Sequence, residues 1–70
     1  MTDLDMMIIR TVDHIIAIGR LFRKIAENWS EKPAVVSAML DAAEMEDRVA
    51  AELIAAAGPE VIAWFRDNRP

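Results

Sequence analysis

Leu4, Ile8, Thr11, Ile15, Ile18, Phe22, Ile25 and Trp29 fall at alternating spacings of four and three. That is a heptad seam, the stripe an α-helix turns toward another helix. Met7, Val12, Leu21 and Ala26 widen it on both flanks, and Ile9 and Ile16 extend it further. What remains is a narrow polar face of Arg10, Asp13, Arg20, Lys24 and Glu27. An apolar arc this broad exceeds what one neighbouring helix covers, so the segment is expected to touch two or more helices at once.

Helix breakers are scarce, with 2 Gly and 3 Pro in 70 residues. Pro33 and the Gly58-Pro59 pair divide the chain into three helical segments. The first is expected from about residue 3 to 28, roughly 39 Å long at 1.5 Å per residue. Thr2 or Asp3 can cap it, and Asp3 and Asp5 suit the positive end of its dipole. The second is expected over about 31–57, with Ser30 as N-cap and Pro33 in its first turn. Its central stripe is Val35, Met39, Ala42, Val49, Leu53 and Ala56, flanked by Ala38, Ala43, Met45, Ala50 and Ile54. Asp41, Glu44, Arg48 and Glu52 take the opposite face, where Arg48 can pair with Glu44 and Glu52. Gly58 suits the end of that helix and Pro59 the start of a third, over about 59–67. Val61, Ile62, Trp64 and Phe65 give this helix an apolar side. Arg66 and Arg69 suit its C-terminal end, and 68–70 are expected to fray.

The fold class expected is all-α: one domain over 1–70, an antiparallel helical hairpin with a short third helix capping its open end. Apolar residues make up 54% of the chain and cysteine is absent, so no disulfide, thiolate zinc site or Cys nucleophile exists. So short a chain has a poor ratio of core to surface. It carries more apolar side chains than a lone monomer hides. Burial against a second copy resolves this, and two hairpins related by a twofold axis make a four-helix bundle. Ile8, Ile15, Ile18, Gly19 and Phe22 form the expected dimer seam. Gly19 costs about 1 kcal/mol relative to Ala inside a helix, which a close backbone crossing would justify.

Length and hydrophobicity exclude a multidomain enzyme and a disordered tail. Asp3 and Asp5 stand where a secretory signal would be basic. The longest uncharged run, 33–40, is far short of the roughly 18 apolar residues that span a bilayer. A soluble, cytoplasmic protein is expected, with no membrane contact.

Two polar residues interrupt apolar surfaces. His14 sits at the edge of the apolar arc, either as a proton-transfer group or as a boundary residue. Glu46 lies within the stripe of the second helix, between Met39 and Leu53. A carboxylate there needs a cation, a hydroxyl or an opening to water. It is either an acid–base group or a polar residue that fixes register across an interface. Asp41, Glu44, Glu46 and Asp47 lack the spacing of a calcium loop, and no Glu-x-x-His pair exists for a di-iron bundle. They read as a solvated acidic face, with no metal or cofactor expected. Residues 1–29 and 59–70 each balance to zero charge, while 30–58 carry the whole net charge of -4. Such a surface suits a basic partner.

Arg20, Arg23 and Lys24 cluster near the end of the first helix. Asp13 and Glu27 interrupt the basic stripe they form with Arg10, so a nucleic-acid accessory role is not favoured. Met6-Met7-Ile8-Ile9 cannot all face one core, so at least Met6 or Ile9 is expected to be exposed or held in an interface. Trp29 and Trp64 are expected to pack at one end of the bundle, while Trp64 and Phe65 can anchor a partner. The candidate partner-binding set is Met6, Ile9, Arg20, Arg23, Trp64 and Phe65.

Without a catalytic constellation, the expected function is a non-enzymatic regulator that binds and inhibits a partner protein. Bacterial and phage anti-activators, inhibitors and antitoxin-like adaptors offer the analogy. An alternative comes from the stretch Arg10-Thr11-Val12-Asp13-His14-Ile15-Ile16-Ala17-Ile18-Gly19-Arg20. It resembles the first helix of the all-helical chorismate mutases, dimeric enzymes that clamp a dicarboxylate with Arg and Lys. That resemblance implies a clamp supplied by Arg10 and Arg48.

Overall fold

The computed structural model describes residues 1–29 and 31–68. It is all-helical, in the order α1 (Asp3–Asn28), α2 (Pro33–Ala57) and α3 (Pro59–Asp67). No helix among the described residues is long and apolar enough to cross a membrane.

The start of α1 is a capping box. The Asp5 N–H donates to Thr2 Oγ1 at 3.1 Å, and the Thr2 N–H donates to Asp5 Oδ2 at 3.0 Å. Two otherwise orphaned backbone donors are thereby satisfied. These hydrogen bonds, the backbone one first, hold the Asp5 carboxyl below its usual value. At the far end the Trp29 N–H donates to the Ile25 carbonyl at 3.0 Å.

Helix α2 begins at Pro33, two residues later than its composition suggests. Lys32 at its N-cap has φ -118° and ψ 84° and makes no side-chain cap. The ring of Pro33 excludes the helical conformation from the residue before it, which fixes the boundary. Ser30, the expected cap, lies outside the described residues, as do Arg69 and Pro70. Gly58 ends α2 at φ 100° and ψ -176°, a conformation open almost only to glycine. Asn68 closes the end of α3. Its backbone N–H and its side-chain amide both donate to the Trp64 carbonyl, at 2.9 and 2.8 Å.

Helices α1 and α2 lie against each other, and their contact is built mainly of small residues. On α1 the buried positions are Ile9, Val12, Gly19 and Ala26; on α2 they are Ala43 and Ala50. The α1 positions run one residue C-terminal to the heptad seam read from the sequence. One residue is a rotation of about 100° around a helix. The expected seam therefore flanks the contact with α2 and stays open. Leu4 and Trp29 are exposed, Thr11 is exposed with its hydroxyl donating to the Met7 carbonyl, and Ile8, Ile15, Ile18, Phe22 and Ile25 are half-buried. Gly19, expected on the dimer seam, is buried within the chain. Ile9, expected at an interface, is 2% exposed and belongs to the core.

Helix α3 does not cap an end of the pair. It packs along one side, burying Val61 and setting Trp64 and Phe65 edge to face, with centroids 5.0 Å apart. Trp64 lines a cleft with Asp13, Ala17 and Arg20 of α1, while Trp29 stands exposed beside the link to α2. The two tryptophans therefore occupy separate parts of the molecule.

Two glycine substitutions separate packing from backbone conformation. A Cβ on Gly19 would meet Arg23, Asp47 and Glu46 atoms at 3.7 Å, ordinary contact. Gly19→Ala is expected to stabilise by about 0.5–1 kcal/mol, raising Tm by about 2–8 °C. Gly58→Ala is expected to lower stability by about 1–3 kcal/mol, although its side chain would meet nothing within 4 Å. Thermal unfolding followed by circular dichroism reads both.

The capping box adds an acid limb. A carboxyl lowered by folding contributes stability above its unfolded value, and that contribution disappears as pH falls through the folded value. Stability is therefore expected to fall below about pH 4 as Asp5 protonates. Asp5→Asn removes this part of the pH dependence, and Thr2→Ala costs about 1 kcal/mol at neutral pH. Urea unfolding across the acid range checks the sign.

A candidate protein-interaction face

The two broad sides of the helix pair differ. On one side α3 closes a cleft of about 530 Å³ lined by Asp13, Ile16, Ala17, Arg20, Ile54, Trp64, Phe65 and Asn68. Its floor is aliphatic and aromatic, and Arg20 and Asp13 stand on its rim about 10 Å apart along α1. Arg20 is exposed and has no ion pair among the described residues. Met6, 37% exposed, falls on the same side of α1. Of the expected partner-binding residues, Met6, Arg20, Trp64 and Phe65 thus share one side.

The opposite side has no cover. The side of α1 turned away from α3 carries Leu4, Met7, Ile8, Ile15, Ile18, Leu21, Phe22 and Ile25. Leu4 and Met7 are 65% and 63% exposed. On α2 the corresponding positions are Val35, Met39, Ala42, Val49, Leu53 and Ala56, bordered by the exposed Met45. Exposed apolar side chains on both helices make this side a candidate interaction face. Glu46, half-buried, is the one ionisable residue within its α2 half.

The polar candidates separate just as clearly. Arg23 pairs with Asp47 across α1 and α2, with both side chains about half exposed. That pair ties Arg23 into the fold and removes it from the basic cluster. No local signal in the sequence marks it, because the partners are 24 residues apart. His14 is exposed on α1. The expected pairs of Arg48 with Glu44 and Glu52 do not close within 4 Å. Arg10 and Arg48 are exposed, and no cleft is lined by both. Among the described residues, no three His, Asp or Glu side chains converge as metal ligands would. The sequence foresaw an exposed apolar surplus but not its division between two sides, because α3 was expected elsewhere.

Comparison with protein-family models, curated proteins and solved structures returns no match.

A double-mutant cycle over Arg23→Ala and Asp47→Ala is expected to give a coupling of about 0.2–1 kcal/mol, small because water screens both groups. The coupling should shrink in molar salt. A larger, salt-insensitive coupling would show that the pair is less solvated than its exposure indicates.

Proposed function

We propose that this chain is a small non-enzymatic regulator that works by binding. Its first two helices act as an antiparallel hairpin, two copies pair through the uncovered side into a helical bundle, and the pair engages and inhibits a partner protein. One observation carries this reading. The chain exposes 5202 Å², whereas a compact monomer of its 7.9 kDa exposes about 4,400 Å². The excess of about 800 Å² equals one partner's share of a standard protein–protein interface. The radius of gyration points the same way, at 14.3 Å against about 11 Å for a compact domain of this length.

The two sides of the hairpin suit two tasks. The uncovered side is long, aliphatic and nearly free of charge, as the core of an obligate interface is. The α3 side offers aromatic anchors beside an unpaired cation, a composition common where binding energy concentrates. In this reading Met6, Arg20, Trp64 and Phe65 face the partner, and Ile8, Ile15, Ile18 and Phe22 face the second copy.

Size-exclusion chromatography with light scattering is expected to return about 16 kDa, twice the chain mass. Val49→Lys places a charge on the uncovered side at an already exposed position, so it should halve that mass while leaving helicity unchanged. Affinity capture from the source cells, read by mass spectrometry, tests the second task. A stoichiometric protein lost on Met6→Asp or Arg20→Glu supports the inhibitor reading. A stable monomer at high micromolar concentration would sink the pairing.

A further inference from the structure

Glu46 sits where a second copy would cover it. Val35, Met39, Ala42, Val49, Leu53 and Ala56 make up the rest of its stripe. Its Cβ lies 3.7 Å from where a Gly19 side chain would begin. The charged groups around it are few. On α2, the positions one turn away are Ala42, Ala43, Val49 and Ala50, and the adjacent Asp47 is engaged with Arg23. On α1 it lies beside Gly19, next to which the Arg23 guanidinium also lies. Helix α3 lies on the other side of the pair. Glu46 itself has no ion pair among the described residues. The facing stripe of α1, from Leu4 to Trp29, contains no Lys or Arg, and exposed His14 stands at its edge.

We propose that pairing of two copies through this side takes up protons at Glu46, so that the pair tightens as pH falls from neutral to mildly acidic. This rests on the reading that two copies pair here. The sign does not depend on how the two hairpins run. With their links at the same end, Glu46 meets the Ile15–Phe22 part of the second copy's α1 stripe. It then loses water without gaining a cation. With their links at opposite ends, the two Glu46 side chains approach each other near the middle of the face, and like charges repel. In both arrangements the neutral carboxyl is cheaper to bury than the carboxylate. Two such groups per pair set the limit at two protons, or a hundredfold change in Kd per pH unit. The residue thus couples assembly to acidity and keeps the pair weaker at neutral pH.

Sedimentation equilibrium from about pH 7.5 to about pH 5.5 tests this, above the range in which the Asp5 cap is lost. Wild-type Kd is expected to fall by about tenfold or more over this interval. Glu46→Gln should pair more tightly than wild type at the upper pH and show a flat profile. His14 stands exposed at the edge of the facing α1 stripe, so His14→Gln is run alongside and should keep the wild-type slope. Dilution calorimetry of the wild type in two buffers of different ionisation enthalpy counts the protons directly, without any variant.

A slope that survives Glu46→Gln, or vanishes in His14→Gln, overturns the proposal and leaves the pairing intact. So does a pair whose formation takes up no protons. A chain that stays monomeric at every pH overturns both the pairing and the proposal.

Discussion

The closeness of α1 and α2 governs the rest of the molecule. Gly19 and Ala26 on one helix and Ala43 and Ala50 on the other bring two backbones together with little side-chain bulk between them. Such contact gains dispersion energy but buries little apolar area, since each methyl adds only about 0.8 kcal/mol. Beyond Ile9 and Val12, few large side chains are enclosed between the helices. Leu4, Met7, Met45 and Val49 are exposed, and among the described residues only Ile9, Val12 and Val61 are large side chains fully enclosed. The core is thin because its helices are close. No disulfide compensates, because the chain has no cysteine.

Helix α3 then makes the two sides of the pair unlike. Its position depends on Gly58, whose backbone turns the chain sharply, and on Pro59, preorganised for a first helical turn. Without α3 the pair would present similar apolar flanks on both sides. With it, one side becomes an aromatic cleft with a charged rim, while the other stays a long aliphatic surface with a single carboxylate. A chain of this size gains two chemically distinct surfaces in this way without a second domain.

Much of the helical pattern was legible because its determinants are local. Thr2 and Asp5 cap α1, Gly58-Pro59 separates α2 from α3, and Pro33 opens α2. The start of α2 falls two residues later than composition suggests, because Pro33 disfavours the helical conformation at Lys32. The phase of α1 was harder to read. Its apolar arc spans more than half the circumference, and periodicity alone does not tell which line in that arc meets the same chain. The bulky Ile and Phe positions dominate the periodicity, whereas the buried line runs through Ile9, Val12, Gly19 and Ala26. The Arg23–Asp47 pair and the placement of Trp64 apart from Trp29 are tertiary facts with no signature in spacing.

The short link between α1 and α2 has a kinetic consequence. Helices adjacent in sequence and joined by a few residues find each other with little loop-closure entropy, and helical domains with such local contacts fold in microseconds to milliseconds. An encounter between separate molecules is slower and depends on concentration. A newly made chain would therefore complete its own fold first and meet its surroundings with the aliphatic side bare. During that interval, abundance rather than sequence decides what reaches the surface first.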